Sequence, residues 1–207
     1  MPAPREPAAH AMEPVALHSR AEDNLRFIRE TMAHAGAFTN VSGAGTIGAG
    51  VVGLAASLAA SPAIIGAHPR WFLAVWIAAA AIAGAISAIA IARKSRRAGQ
   101  SLVAGPARRF TLAFVPALAA GAVLTVAFAA TGQASLLPGT WLSVYGAAIA
   151  AGGAMSVRPV PVMGCAFIGL GALCFALPVQ AQQFTLAAGF GGLHLAFGYH
   201  IMRHHGG

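Results

Sequence analysis

His194 is the residue of this chain best placed to do chemistry inside a membrane. It lies near the middle of an apolar run of about 21 residues, from near Gln182 to Met202, and no other titrating base stands so deep in an apolar stretch. Helical periodicity puts Gly191, three residues before it, and Gly198, four after it, on the same face. Two glycines beside an imidazole leave a notch. Either another helix packs there and satisfies the buried imidazole, or a small ligand enters, because a buried polar group must find a partner. An interhelical hydrogen bond is the plainer reading, and His194, Gly191 and Gly198 are the candidate ligand contacts.

Other candidates lie nearer the ends of apolar runs. His200 and His204 have i, i+4 spacing, His205 adjoins them, and His34 would come to a similar height. Paired histidines at that spacing can hold zinc or copper, yet imidazoles also suit a helix C-terminus, where the dipole favours them. Bis-imidazole haem would need a second mid-membrane histidine, and the chain has only His194. No metal and no cofactor is therefore expected. Arg158, held between an apolar run and a proline turn, is a candidate for an anion or carbonyl contact. Cys165 and Cys174 share one run nine residues apart, on opposite helix faces and separated by roughly 13 Å of rise, so they are packing residues, not a disulfide.

From Thr31 onward there is no Asp or Glu. That absence removes the intramembrane carboxylates on which proton-coupled carriers rely, together with carboxylate metal sites, acid pairs and charge-relay triads. The glycines from Gly43 to Gly53 match the dinucleotide-binding spacing. No strand precedes them and no downstream acid can take a ribose hydroxyl, so the match is spurious. Gly45, Ala49, Gly53, Ser57 and Ser61 instead recur every four residues, a small-residue seam that lets a second helix approach closely. An enzyme is not expected.

These residues must be positioned by helices in lipid. The chain of 207 residues is 57% hydrophobic and 9% charged, against about 25% charged in ordinary soluble domains. Six spans are expected, at about 42–60, 71–92, 110–130, 140–157, 162–177 and 182–202, with Pro116 a kink in the third and Trp71 and Trp141 in the interfacial belt. Six spans put twelve of the thirteen Lys and Arg on one side, with Arg70 alone opposite. By the positive-inside rule both termini are cytoplasmic. The charges cluster between apolar runs, which argues against a nucleic-acid surface. The Arg93–Arg97 cluster with Arg108 and Arg109 serves as a topology signal and as a face for anionic lipid headgroups or an acidic partner.

Before the spans, residues 1–18 read as a disordered cytoplasmic tail without an apolar leader, so the first span would act as an uncleaved insertion signal. Ser19 and Glu22 have capping-box spacing. Ala21, Leu25, Ile28, Met32 and Ala35 share one face of the helix that follows, opposite Glu22, Arg26, Glu30 and His34. Residues 19–40 are thus expected to hold an amphipathic interfacial helix, packed on the cytoplasmic face beneath the first and sixth spans. Residues 41–207 form the membrane domain. The two halves of that domain show no inverted repeat.

Several stretches resemble a family of small bacterial six-span membrane proteins with no assigned activity. They are Ile28–Met32 with Phe38-Thr39, Gly105–Phe110, Leu136–Trp141, Ser156–Arg158 with Pro161, and Gly189–His194 with Phe197-Gly198 and Gly206-Gly207. The resemblance runs from about Asn24 to Gly207. It implies no particular reaction, but it singles out His194, Arg158 and the Ile28–Met32 helix. Two features depart from the pattern: Ser42 and Ala44 stand where the family has Pro and Trp, and His200 replaces an apolar residue, which weakens it as a shared ligand.

The expectation is an all-α polytopic membrane protein, a six-helix bundle with an N-terminal amphipathic helix, in the bacterial cytoplasmic (inner) membrane. Its expected role is that of a non-enzymatic sensor or scaffold engaging the lipid bilayer and a cytosolic or membrane partner, with a homo-oligomer possible. The alternative is a carrier or channel for a small neutral or anionic solute past His194. A third reading is a His-ligated metal or haem protein.

Overall fold

The computed structural model describes residues 20, 22–28, 32, 41–65, 67–99, 105–154 and 156–205. The chain divides into two units, Met1–Gly36 and Ala37–Gly207. In the first, residues 22–28 (α1) are helical, as are 20 and 32. Leu25, Ile28 and Met32 are exposed on it, and Arg26 pairs with Asp23, three residues back. Ser19, Glu30, His34 and the 1–18 tail lie outside the described residues.

The second unit is helical throughout its described length apart from short connections. Its elements are α2 (Gly43–Ala59), α3 (Pro69–Arg97), α4 (Gly105–Ala130), α5 (Leu137–Gly153) and α6 (Pro159–Ala176). A last helical rod follows, made of α7 (Gln182–Leu186), a π-helical segment (Ala187–Leu193) and α8 (His194–His205). Five helical stretches are long and apolar enough to cross a membrane: Gly43–Ile64, Pro69–Arg97, Gly105–Ala130, Ala134–Gly153 and Pro159–Ala176. The last rod is divided by its π segment into pieces of 5, 7 and 12 residues, although the backbone stays helical at both joins.

Local chemistry sets most boundaries. The Ser42 side chain accepts from the Gly45 amide at 3.2 Å and caps α2. Pro69, Pro138 and Pro159 each sit in the first turn of a helix, where the missing N–H costs nothing. The fourth span thus begins earlier than expected, at Leu137. It also ends earlier, at Gly153 and not near 157, where the chain turns into α6 so closely that a Cβ on Gly153 would stand 2.8 Å from the Pro161 nitrogen. α3 runs on to Arg97, with Lys94, Arg96 and Arg97 in its last turn facing the negative end of its dipole. α4 continues through Pro116.

Close backbone approach explains the packing. α5 and α6 form the tightest pair: a Cβ at Gly146 would stand 2.7 Å from the Gly164 carbonyl oxygen, and one at Gly164 2.5 Å from the Ala150 amide. α2 is held between α3 on one side and the last rod on the other. Its tight row differs from the expected four-residue seam. Gly43 meets Met202 and Gly198, Gly50 meets Leu195, and Gly53 meets the Phe190 backbone, whereas Gly45 and Gly48 face Ala90 and Ile86 of α3. α2 therefore uses two glycine faces, one for each neighbour.

Contacts between helix ends gather the basic residues. Lys94 of α3 donates to Val41 O at 3.1 Å and to His205 O at 2.9 Å. Gly152 of α5 adjoins Phe110 of α4, Gly153 adjoins Val160 of α6, and Arg158 shares a hollow with His200. Every described Lys and Arg of this unit except Arg70 thus lies at one end of the helices. At the opposite end, Trp71 and Trp76 donate their indole N–H to Ala59 O (3.3 Å) and Ala60 O (3.0 Å). They satisfy carbonyls that the end of α2 leaves open, as a backbone in lipid requires.

Candidate functional site: a cleft beside His194

α3 packs on α2 and α4 packs on α5, but these two consecutive helices do not pack on each other. The space between them is a cavity of about 690 Å³, within the range of small-molecule sites. Its α3 wall runs from Trp76 to Ile91 and its α4 wall from Ala107 to Thr125, so its length is about 22 Å or more at the helical rise. Alanines and glycines of α3 (Ala80, Ala83, Gly84) and of α4 (Gly121, Ala122) keep it open. Among the described residues no Lys, Arg, Asp or Glu lines it. α3 and α4 are also the least buried of the five long helices, and they expose Ile82, Ile89, Val115 and Val123 to the surroundings.

His194 lines this cavity and is 4% exposed. Its Nδ1 lies 3.1 Å from Phe190 O, and its Nε2 lies 2.7 Å from the Tyr145 hydroxyl on α5. The π-helical segment makes the first contact possible. There the backbone N–H of His194 turns to Gly191 O, leaving Phe190 O accessible to the imidazole of its own chain. Three aromatic rings enclose the pair: Phe167 is edge-on to His194 at 5.2 Å and to Tyr145 at 5.0 Å, Phe190 is stacked on His194 at 6.3 Å, and Phe114 is edge-on to Tyr145 at 6.2 Å. Phe190 continues the aromatic series to Trp76 at 5.6 Å, and Trp76 to Trp141 at 6.1 Å.

The sequence-predicted residues separate into three places. His194 belongs to the cleft. Gly191 and Gly198 do not border it: Gly191 receives Leu54 and Gly198 receives Ile47, so α2 fills the notch that the glycines form. The buried imidazole finds its partners on α5 and on its own helix, not on the helix filling that notch. Arg158 and His200, predicted separately, come together in a shallower hollow of about 380 Å³ whose apolar wall includes Val162 and Phe197. His200 stacks on His204 at 4.3 Å, and His204 Nδ1 donates to His200 O at 2.9 Å. Among the described residues no three His, Cys, Asp or Glu side chains form a metal-ligand group, and His34 lies outside those residues.

Tyr145, Trp76 and Trp141 are the site residues that sequence reasoning missed. Tyr145 carried one signal, a phenol in the middle of an otherwise apolar span. A buried hydroxyl there needs a partner, and His194 is the partner available at that depth. A comparison with family models, with curated proteins and with solved structures returns no match to this chain. The class that fold and site define is a helical, apolar protein suited to a membrane, carrying an uncharged cleft with a Tyr–His pair.

Proposed function

We propose that this chain is a six-span protein of the bacterial cytoplasmic membrane that binds a neutral lipophilic molecule in the α3–α4 cleft and acts as a non-enzymatic sensor or scaffold. The observation that carries the reading is the cleft itself: uncharged, about 690 Å³, and walled by the two helices most exposed to the surroundings. A molecule dissolved in the bilayer reaches such a space sideways, without crossing water. The rod from Gln182 to His205 serves as the sixth span, since it carries no charge before Arg203. Both termini and the basic end then face the cytosol, where Arg93, Arg96, Arg97, Arg108 and Arg109 meet anionic headgroups or an acidic partner. The exposed Leu25, Ile28 and Met32 suit α1 to the membrane surface.

A carrier built on this frame would have to use the cleft as its vestibule, because α2 occupies the glycine notch. The test of binding uses the protein in lipid nanodiscs, with Trp71 replaced by Phe so that Trp76 and Trp141 alone report. A brominated alkylphenol should quench their fluorescence saturably. Ala83→Phe and Ala122→Phe, which fill the cleft, should each abolish the saturable part. Quenching that rises linearly with the probe, or that both folded variants retain in full, would remove the proposal.

A further inference from the structure

The polar floor of the cleft is a hydrogen-bond chain with a fixed direction. A carbonyl oxygen only accepts, so the 3.1 Å contact with Phe190 O means that His194 Nδ1 carries a proton. A second proton on Nε2 would make an imidazolium that is 4% exposed, in a chain without Asp or Glu beyond Glu30. Such an unpaired buried charge is too costly to hold. Nε2 therefore accepts, and the Tyr145 hydroxyl 2.7 Å away donates to it. The phenolic proton is committed to His194, and what Tyr145 still offers is a lone pair on its oxygen.

The other donors in the lining are committed as well. Trp76 gives its N–H to Ala60 O at 3.0 Å, and Trp141 gives its own to Thr125 Oγ1 at 2.9 Å. The Thr125 hydroxyl goes to Gly121 O at 2.7 Å, Thr111 to Ala107 O at 3.0 Å and Thr46 to Ser42 O at 2.9 Å. Ser87 is the exception among the described residues. It sits beside Gly45, five residues or about 7.5 Å of helical rise from Gly50, which meets Leu195.

We infer that the cleft selects lipophiles that end in a hydroxyl donor, such as phenols, quinols or long-chain alcohols, over counterparts in which that proton is missing. The inference rests on the binding reading above and names its ligand class. A donor end completes the chain ligand O–H to Tyr145 O, Tyr145 O–H to Nε2, and Nδ1–H to Phe190 O. An ether or quinone oxygen in the same place would set lone pair against lone pair and leave a polar atom unpaired in an apolar site.

The experiment compares 4-dodecylphenol with its methyl ether, each displacing the brominated probe from nanodisc-embedded protein after correction for partition into lipid. The phenol should bind about tenfold more tightly, the size expected of one hydrogen bond made or left open. His194→Leu frees the Tyr145 proton to donate, so the two ligands should then bind within about twofold of each other. Tyr145→Phe exposes the accepting Nε2 instead and should keep the preference for the phenol. Ser87→Ala should leave the ratio unchanged. Equal affinities in the unmodified protein overturn the inference while leaving the binding site standing, as does a preference that disappears in Ser87→Ala. Displacement by neither ligand would remove the binding reading itself.

Discussion

The Tyr145 hydroxyl lies 2.7 Å from Nε2 of His194, and this hydrogen bond ties α5 to the start of α8 across 49 residues of sequence. It is the one side chain to side chain hydrogen bond between these two helices among the described residues, and it lies inside the ring formed by Phe167, Phe190 and the cleft wall.

Breaking this pair from one side should cost more than removing it whole. Tyr145→Phe leaves a buried ring nitrogen without a donor, a loss of about 1 to 3 kcal/mol. His194→Leu leaves the phenol in the same position. The double variant removes both needs, so its loss should fall below the sum of the two single losses. Thermal midpoints of the detergent-solubilised protein, read by size-exclusion chromatography after heating, measure the cycle. Strict additivity would show that the two residues act independently.

The glycines of α2 that face the last rod should not tolerate a methyl group. A Cβ at Gly43 or Gly53 runs into the backbone of Met202 or Phe190, which cannot move aside as a side-chain tip would. Gly43→Ala and Gly53→Ala should each destabilise the protein by about 1 to 3 kcal/mol or more. Gly169→Ala, where a Cβ meets nothing within 4 Å, should be neutral or gain up to about 1 kcal/mol from helix propensity. Equal effects at all three positions would show that α2 and the last rod are less closely packed than described.

Lys94 joins the entry to α2 and the end of α8 by donating to Val41 O and His205 O. Lys94→Met should loosen the last turn of α8, with faster amide exchange over 201–205 and a loss of about 1 kcal/mol. Lys94→Arg, which keeps the charge at the helix terminus, should recover much of the protection. Unchanged exchange in Lys94→Met would mean that α8 is held by its packing alone.

The basic end should be the cytosolic one. In a background with Cys165 and Cys174 replaced by Ala, a cysteine introduced by Arg97→Cys should react with a membrane-impermeant maleimide only after permeabilisation. Arg70→Cys should react in intact cells. The reverse pattern would invert the topology.

The ends of the helices were largely legible in the sequence. Proline in a first turn, a serine cap and a run of basic residues act within a few positions of where they stand, so α2 and α3 begin close to where Ser42 and Pro69 place them, whereas α4 and α6 begin at Gly105 and Pro159, ahead of the expected 110 and 162. The end of the fourth span was less so, because α5 stops where Gly153 packs against Val160 and Pro161 of α6, a contact that no local signal announces. His194 was legible as a buried base that required a partner. Its partner was not, since nothing local links positions 145 and 194.

By itself the sequence determined which segments suit lipid, that no carboxylate enters them, and that the positive charge gathers at one end. Those are sums over side-chain transfer energies and do not depend on how the helices meet. Tertiary structure decided which side of His194 stands open. Gly191 and Gly198 of the last rod were taken up by α2, because glycine lets backbones close to van der Waals contact, and the opening was left where α3 and α4 part. It also fixed the direction of the Tyr145–His194 hydrogen bond, because only the folded chain shows that the other ring nitrogen already faces a carbonyl.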